Sequence, residues 1–270
     1  MSEAAVVVAH DPVWRRVRTE AEAIAKREPA LAGFVYATVL DQTSLEETIA
    51  ERVANRLQDP QLHATHIRNA FHDALDDDPT LADVFRADIL AVFDRDAACE
   101  RIIEPILYFK GFQSLAAHRV AHSLWTRGHR DFALLMQSRA SAELQVDIHP
   151  AVPMGRGIFI DHATGVVIGA TARLGNDVSL LQGVTLGGTG KEKGDRHPKI
   201  ASGVLVGAGA KILGNFEIGA CSRVAAGSVV LSAVPPNVTV AGVPAKIVGS
   251  AGCREPSRSM DQILADLAEV

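Results

Sequence analysis

Residues 148–186 read IHPAVPMGRGIFIDHATGVVIGATARLGNDVSLLQGVTL, and aliphatic residues recur in them at six-residue steps. The in-phase set is Ile148, Met154 and Ile160, then Ile168, Leu174, Leu180 and Leu186. It resumes at Ile200, Val206, Ile212, Ile218, Val224 and Val230. Small residues, often glycine, commonly follow the aliphatic one. A period of six fits neither an amphipathic helix nor an alternating strand. It is the signature of a parallel β-helix, in which each hexapeptide forms one flat side of a coil. Three sides close a turn, and turns stack by strand pairing at about 4.8 Å. The aliphatic residue points inward and packs on its equivalents, and the stack is stable only when several repeats bury each other. Gly-rich loops and hairpins in a β-sandwich do not account for so many positions in phase.

The grammar is different before Val146. In DPVWRRVRTEAEAIAKRE, Val13, Trp14, Val17, Ala21 and Ile24 fall near helical spacing. LAGFVYATVL, SLEETIAERVANRL, QLHATHIRNAFHDAL and PTLADVFRADILAVF follow, and two longer helical stretches run from Ile106 to Trp125 and from Phe132 to Val146. Asp59-Pro60 and Asp78-Pro79 suit helix starts, since proline is tolerated in a first turn. The expected class is α+β: an all-α domain over residues 1–145, a parallel β-helix over 146–249 and a short tail over 250–270.

The two interruptions of the period carry the chemistry. Ile160 to Ile168 is eight positions and contains Asp161 and His162; Leu186 to Ile200 is fourteen and contains GGTGKEKGDRHPK, with Asp195, Arg196 and His197. A solenoid wall is chemically bland, and loops leaving it are where function is placed. Histidine is the natural base for a hydroxyl nucleophile near neutral pH. Its second nitrogen usually needs an orienting carboxylate, which Asp147, about one coil earlier, could supply. Arg196 offers a planar fork for a substrate carboxylate. Asp161, or an acid of the helical half, could take an ammonium group.

Two other motifs fail. GGTGKEKG resembles a phosphate-cradling loop, but Thr185 and Glu192 stand where that loop needs Gly and Ser or Thr. A zinc site from His149, His162 and His197 lacks the close histidine pair of hexapeptide-repeat carbonic anhydrases, so no metal is expected.

Composition narrows the class. The chain has 270 residues, is 47% hydrophobic and 22% charged, and carries a formal charge of -5. No basic stripe is available for nucleic acid, and no apolar run approaches the roughly 18–20 residues of a membrane span. The opening MSEAAVVVAHDPVW lacks the positive segment of a secretory signal. Cys99, Cys221 and Cys253 lie far apart and are expected to be reduced. The expected location is cytoplasmic.

VDIHPAVPMGRGIFIDHATGVVIG, SLLQGVTLGGTGKEKGDRHPKI, GAGAKILGN, AAGSVV and AGVPAKIVG, with DILAVFDRDAACE and LYFKGFQSLAAHR in the helical half, closely resemble serine acetyltransferases of the bacterial and plant cysteine pathway. The resemblance covers roughly residues 10–250. It implies a left-handed coil, a hand that periodicity alone does not give. It also implies acetyl transfer from acetyl-CoA to L-serine by direct attack, with His162 as general base in a dyad with Asp147. The serine ammonium is implied to face Asp161 and Asp88, and its carboxylate Arg196, with His197 nearby. Acetyl-CoA is implied to lie between neighbouring subunits along backbone near Gly187, Gly188, Ala208 and Ala226. Further implications are a trimer or dimer of trimers and inhibition by L-cysteine in the serine site.

The family often ends in isoleucine, which inserts into a partner sulfhydrylase. This chain ends in Val270, a loss of one methylene worth about 0.5–1.5 kcal/mol. Ile263, Leu264, Leu267 and Val270 equally suit a helix packed on the body. Two other functions stay open at this point: a hexapeptide acyltransferase with another acceptor, such as homoserine, and a β-helical scaffold that holds a partner by its tail.

Overall fold

The computed structural model describes residues 11–190 and 193–263. The helical part contains α1 (Pro12–Arg27), α2 (Ala32–Val35), α3 (Leu45–Leu57), α4 (Ala64–Asp77), α5 (Leu81–Arg95), α6 (Glu104–Leu107), α7 (Lys110–Thr126) and α8 (Arg130–Leu144). Local chemistry sets several ends. Asp11 caps α1 by accepting from the N–H groups of Val13 and Trp14 at 3.0 Å, with Pro12 in the first turn. The two other Asp-Pro pairs stand just ahead of helices rather than within their first turn. Asp59 accepts from the N–H groups of Gln61 and Leu62, each at 2.8 Å, and α4 begins only at Ala64. Asp78 holds Thr80 in the same way ahead of Leu81. In each case the short carboxylate folds over the N–H two residues on, making a turn before the helix begins. Gln145, at φ 59°, ends α8 in the left-handed conformation and turns the chain into the coil.

Three parallel faces form the coil. One carries β1 (Val146–Ile148), β3 (Val166–Ile168), β6 (Thr185–Gly187), β9 (Lys211–Leu213) and β12 (Val229–Val230). The second has β4 (Arg173–Leu174), β7 (Lys199–Ile200) and β10 (Glu217–Ile218). The third has β2 (Phe159–Ile160), β5 (Ser179–Leu180), β8 (Leu205–Val206), β11 (Arg223–Val224) and β13 (Val238–Gly242), and antiparallel β14 (Ala245–Ser250) closes it. Every in-phase aliphatic residue of the sequence stands in an inner ladder. Ile148, Ile168, Leu186, Ile212 and Val230 align on the first face. Met154, Leu174, Ile200 and Ile218 align on the second, and Ile160, Leu180, Val206 and Val224 on the third. Full burial of each such side chain is worth about 1.5–3 kcal/mol, so the core of the coil is the repeat itself.

The helical part is seated on the first coils by close approach and by buried charge. A Cβ on Gly111 of α7 would stand 1.9 Å from the Ile160 carbonyl oxygen, so only glycine lets the helix reach β2. Asp88 of α5 is fully buried and takes Arg119 of α7 in a two-pronged ion pair at 2.7 and 3.1 Å. The same carboxylate accepts the Ile158 N–H at 2.9 Å, and Arg119 donates onward to the Gly155 carbonyl at 2.7 Å. A short C-terminal helix, α9 (Pro256–Ser259), returns along the third face, where the Ser257 carbonyl accepts from Ser179 at 2.7 Å. The tail residues Leu264, Leu267 and Val270 lie outside the described residues, as do Lys191 and Glu192.

His118 of α7 also joins the two parts, its Nε2 donating to the Val152 carbonyl at 3.0 Å. Burial, with smaller contributions from His122 and Arg119, pushes its pKa down to about 3 from an ordinary 6.5. A folded-state pKa below the unfolded one gives stability that is complete above about pH 6.5 and is lost as pH falls toward 3. Over that window each pH unit is expected to cost up to about 1.4 kcal/mol. Denaturant unfolding at stepped pH checks this, and the acid slope should flatten in His118→Gln.

Candidate active site

The eight-position interval becomes the turn between β2 and β3. His162 and Ala163 both adopt left-handed backbone, at φ 53° and 61°, a strained choice for two successive residues with side chains. Ala163 is buried in the coil core, and the turn thrusts His162 outward with its side chain 74% exposed. Asp161 stays largely covered, with a carboxylate oxygen 3.8 Å from His162 Nε2. Burial raises the Asp161 pKa; His162 opposes that rise and Asp96 adds to it.

Asp161 and His162 line a cavity of about 370 Å³ together with Asp96, Tyr108, Lys110 and Phe112. Asp96 lies just past the end of α5, where one carboxylate oxygen accepts the Ala98 N–H at 2.9 Å. Lys110, at the start of α7, donates to Thr164 at 2.5 Å and holds the β2–β3 turn against the helix. Two acids and an exposed imidazole around one small cavity can take an ammonium group and a neighbouring hydroxyl.

This arrangement corrects one sequence-predicted residue. Asp88 does not reach the cavity, because Arg119 and the Ile158 N–H occupy its carboxylate inside the protein. The acid of the helical half that does reach it is Asp96, which the sequence reading missed. A signal was available. Asp88 falls on the buried stripe of α5 with Phe85, Ile89 and Val92, whereas Asp96 follows the helix end, where side chains are free to face a ligand.

The other predicted residues gather elsewhere. Asp147 stands on β1 and accepts from Gln137 of α8 at 2.6 Å. His149 packs edge-on to Trp125, with ring centroids 5.0 Å apart. Burial lowers its pKa, Asp147 pulls it up and Arg196 pushes it down, so these three groups share one neighbourhood. His197 is buried and also lowered, first by burial and then by Arg196 and Lys199. A Cβ on Gly169 would fall 2.1 Å from His197 Nε2, so the ring lies directly over that glycine.

Backbone bonds divide the small-residue positions in the same way. Gly165 donates to the Gln145 carbonyl, Gly183 to that of Thr164, Gly209 to that of Gln182 and Gly227 to that of Ala208, at 2.7–2.9 Å. These bonds run up one prism edge, so Ala208 and Ala226 share the edge of the His162 turn. Gly187 and Gly188 stand instead at the far end of the first face, where a Cβ on Gly188 would come within 3.1 Å of the Arg196 side chain. Among the described residues no group of three or more His, Cys, Asp or Glu is placed to hold a metal ion, and no helix is long and apolar enough to cross a membrane.

Comparison with known proteins finds the same fold. The family model for the N-terminal region of serine acetyltransferases matches residues 13–117. The serine acetyltransferase of Salmonella typhimurium is 50% identical over 250 residues, 93% of this chain and 92% of that protein. A Brucella abortus serine acetyltransferase solved in complex with coenzyme A is 54% identical, covers 92% of this chain and 99% of its own, and superposes with a TM-score of 0.90. A serine acetyltransferase complexed with cysteine gives 46% identity, coverage of 93% and 98% and a TM-score of 0.91. The soybean enzyme complexed with serine gives 49%, coverage of 87% and 97% and 0.86. The coil is accordingly the left-handed parallel β-helix of hexapeptide repeats. With that likeness running through both the helical part and the coil, the chain belongs to the serine acetyltransferase family.

Proposed function

We propose that the chain transfers acetyl from acetyl-CoA to L-serine by direct attack, with His162 as general base. The observation that carries this reading is the meeting of His162, Asp161 and Asp96 at one cavity, on the coil corner where the period breaks. The serine ammonium sits between Asp96 and Asp161. His162 removes the hydroxyl proton as the oxygen attacks the thioester carbonyl. The tetrahedral intermediate collapses with cleavage of the C–S bond, and the imidazolium returns its proton to the departing thiolate. The products are O-acetyl-L-serine and CoA, with no acyl-enzyme. Asp147 is the carboxylate assigned to orient His162; within the single chain it accepts from Gln137 and lies near His149 and Arg196.

Arg196 and His197 take the serine carboxylate, yet they cluster with His149 at the far side of the first face. Parallel packing of three coils supplies the missing half: one chain's His162 edge meets its neighbour's Arg196 loop. CoA then lies in the same seam, over Ala208 and Ala226 of one chain and Gly187 and Gly188 of the next, where small side chains leave room for the pantetheine arm. L-Cysteine fits the same ammonium and carboxylate anchors, with sulfur in place of oxygen. It is expected to raise the apparent KM for serine without lowering the extrapolated maximum rate; purely noncompetitive kinetics would remove it from this site.

Mixed oligomers test the shared site. His162→Ala and Arg196→Ala chains, each nearly inactive alone, are expected to regain part of the activity when denatured and refolded together, because some seams then join two intact halves. No recovery in verified mixed trimers would place the whole site within one chain.

A further inference from the structure

The fourteen-position interval that carries Arg196 and His197 is rich in glycine, with positive φ at Gly190 and Gly194, and such a loop has many conformers to lose. The structure shows what holds it. Thr171 Oγ1 accepts the backbone N–H of Arg196 at 3.0 Å and that of His197 at 3.1 Å. The same oxygen lies 2.8 Å from His197 Nδ1, and the Thr171 backbone N–H donates to that nitrogen at 3.2 Å. A backbone N–H can only donate, so Nδ1 is the lone-pair nitrogen and the ring proton is on Nε2. The Thr171 hydroxyl proton has both Nδ1 and the Asp195 carboxylate within reach, so the backbone N–H is what fixes the tautomer.

Lys199 secures the end of the loop. Its Nζ donates to the carbonyls of Thr171 at 2.9 Å and His197 at 2.6 Å, to the Asp195 carboxylate at 2.7 Å and to the Asn215 side-chain oxygen at 3.1 Å. Three N–H bonds shared by four acceptors leave this ammonium committed to the loop rather than to solvent.

We infer that Thr171 and Lys199 are positioning residues of the serine site, which lock His197 in its Nε2–H tautomer and hold Arg196 beside it as a second donor for the substrate carboxylate. This rests on the assignment of Arg196 and His197 to that carboxylate. The lowered His197 pKa keeps the ring neutral at pH 7 and agrees with a donor set by geometry rather than by charge.

Thr171→Val keeps the shape and removes the hydroxyl; Thr171→Ser restores it. The valine variant is expected to raise KM for serine roughly 10- to 100-fold, with KM for acetyl-CoA within about twofold of wild type and the serine variant near wild type. Lys199→Met should act in the same direction. Independently, nitrogen NMR of histidine-labelled wild type, assigned with His197→Gln, should show His197 as the Nε2–H tautomer. An Nδ1–H tautomer, an unchanged serine KM in Thr171→Val, or an equal rise in both KM values would overturn the inference. Absence of serine-dependent thiol release in wild type would instead overturn the reaction assignment, and the NMR result would still decide the tautomer.

Discussion

His162→Ala is expected to lower serine-dependent thiol release by about 10²- to 10⁴-fold, the usual contribution of a positioned general base. Its side chain is 74% exposed on a turn outside the coil core, so the loss should come without a loss of fold. Melting temperature and oligomeric state should match wild type. The fall should appear in kcat, because no part of serine binding is assigned to the imidazole. A variant that melts early would mean that the strained backbone at φ 53° depends on the histidine. A variant that keeps most of its kcat would show that the base is elsewhere.

Asp88→Ala and Asp96→Ala are expected to fail in opposite ways. Removing the buried Asp88 strands Arg119 beside the carbonyls of Met154 and Gly155 and leaves the Ile158 N–H without its acceptor. Breaking such a pair from one side costs about 3–5 kcal/mol. Asp88→Ala should therefore unfold at much lower denaturant, with serine KM little changed in the protein that remains folded. Asp96 is partly exposed at the end of α5 and faces the cavity. Asp96→Ala should keep its stability and raise serine KM by roughly 10-fold or more, as expected on losing a charge-assisted contact. Denaturant midpoints and serine titrations of the two variants separate these roles. A stable Asp88→Ala with a raised serine KM would return Asp88 to the substrate site.

That contrast also shows where sequence reading succeeds and where it stops. The coil was legible because a hexapeptide wall repeats one physical requirement, an inward aliphatic residue, and each in-phase position from Ile148 to Val230 meets it in an inner ladder. Asp161 and His162 stood out because they interrupt that repeat, and both line one cavity. Asp88 misled because an acid on a buried helical stripe reads, in one dimension, like an acid in a pocket; only its pairing with Arg119, 31 positions away, shows otherwise. Thr171 carries no such mark: it sits at an ordinary coil position, and its importance lies in contacts with a loop some 25 residues away. Lys199 closes that loop, but nothing in the sequence shows that its ammonium ties the loop to Thr171 and Asn215. The separation of His162 from Arg196 is a property of a three-sided prism, which no spacing along the chain announces.

The most direct measurement is CoA thiol release from acetyl-CoA by the wild-type protein, with L-serine and then L-homoserine as acceptor. Rapid release with serine, and release slower by an order of magnitude or more with homoserine, is the result expected of the proposed serine acetyl transfer. No release with serine, or a preference for homoserine, would contradict it.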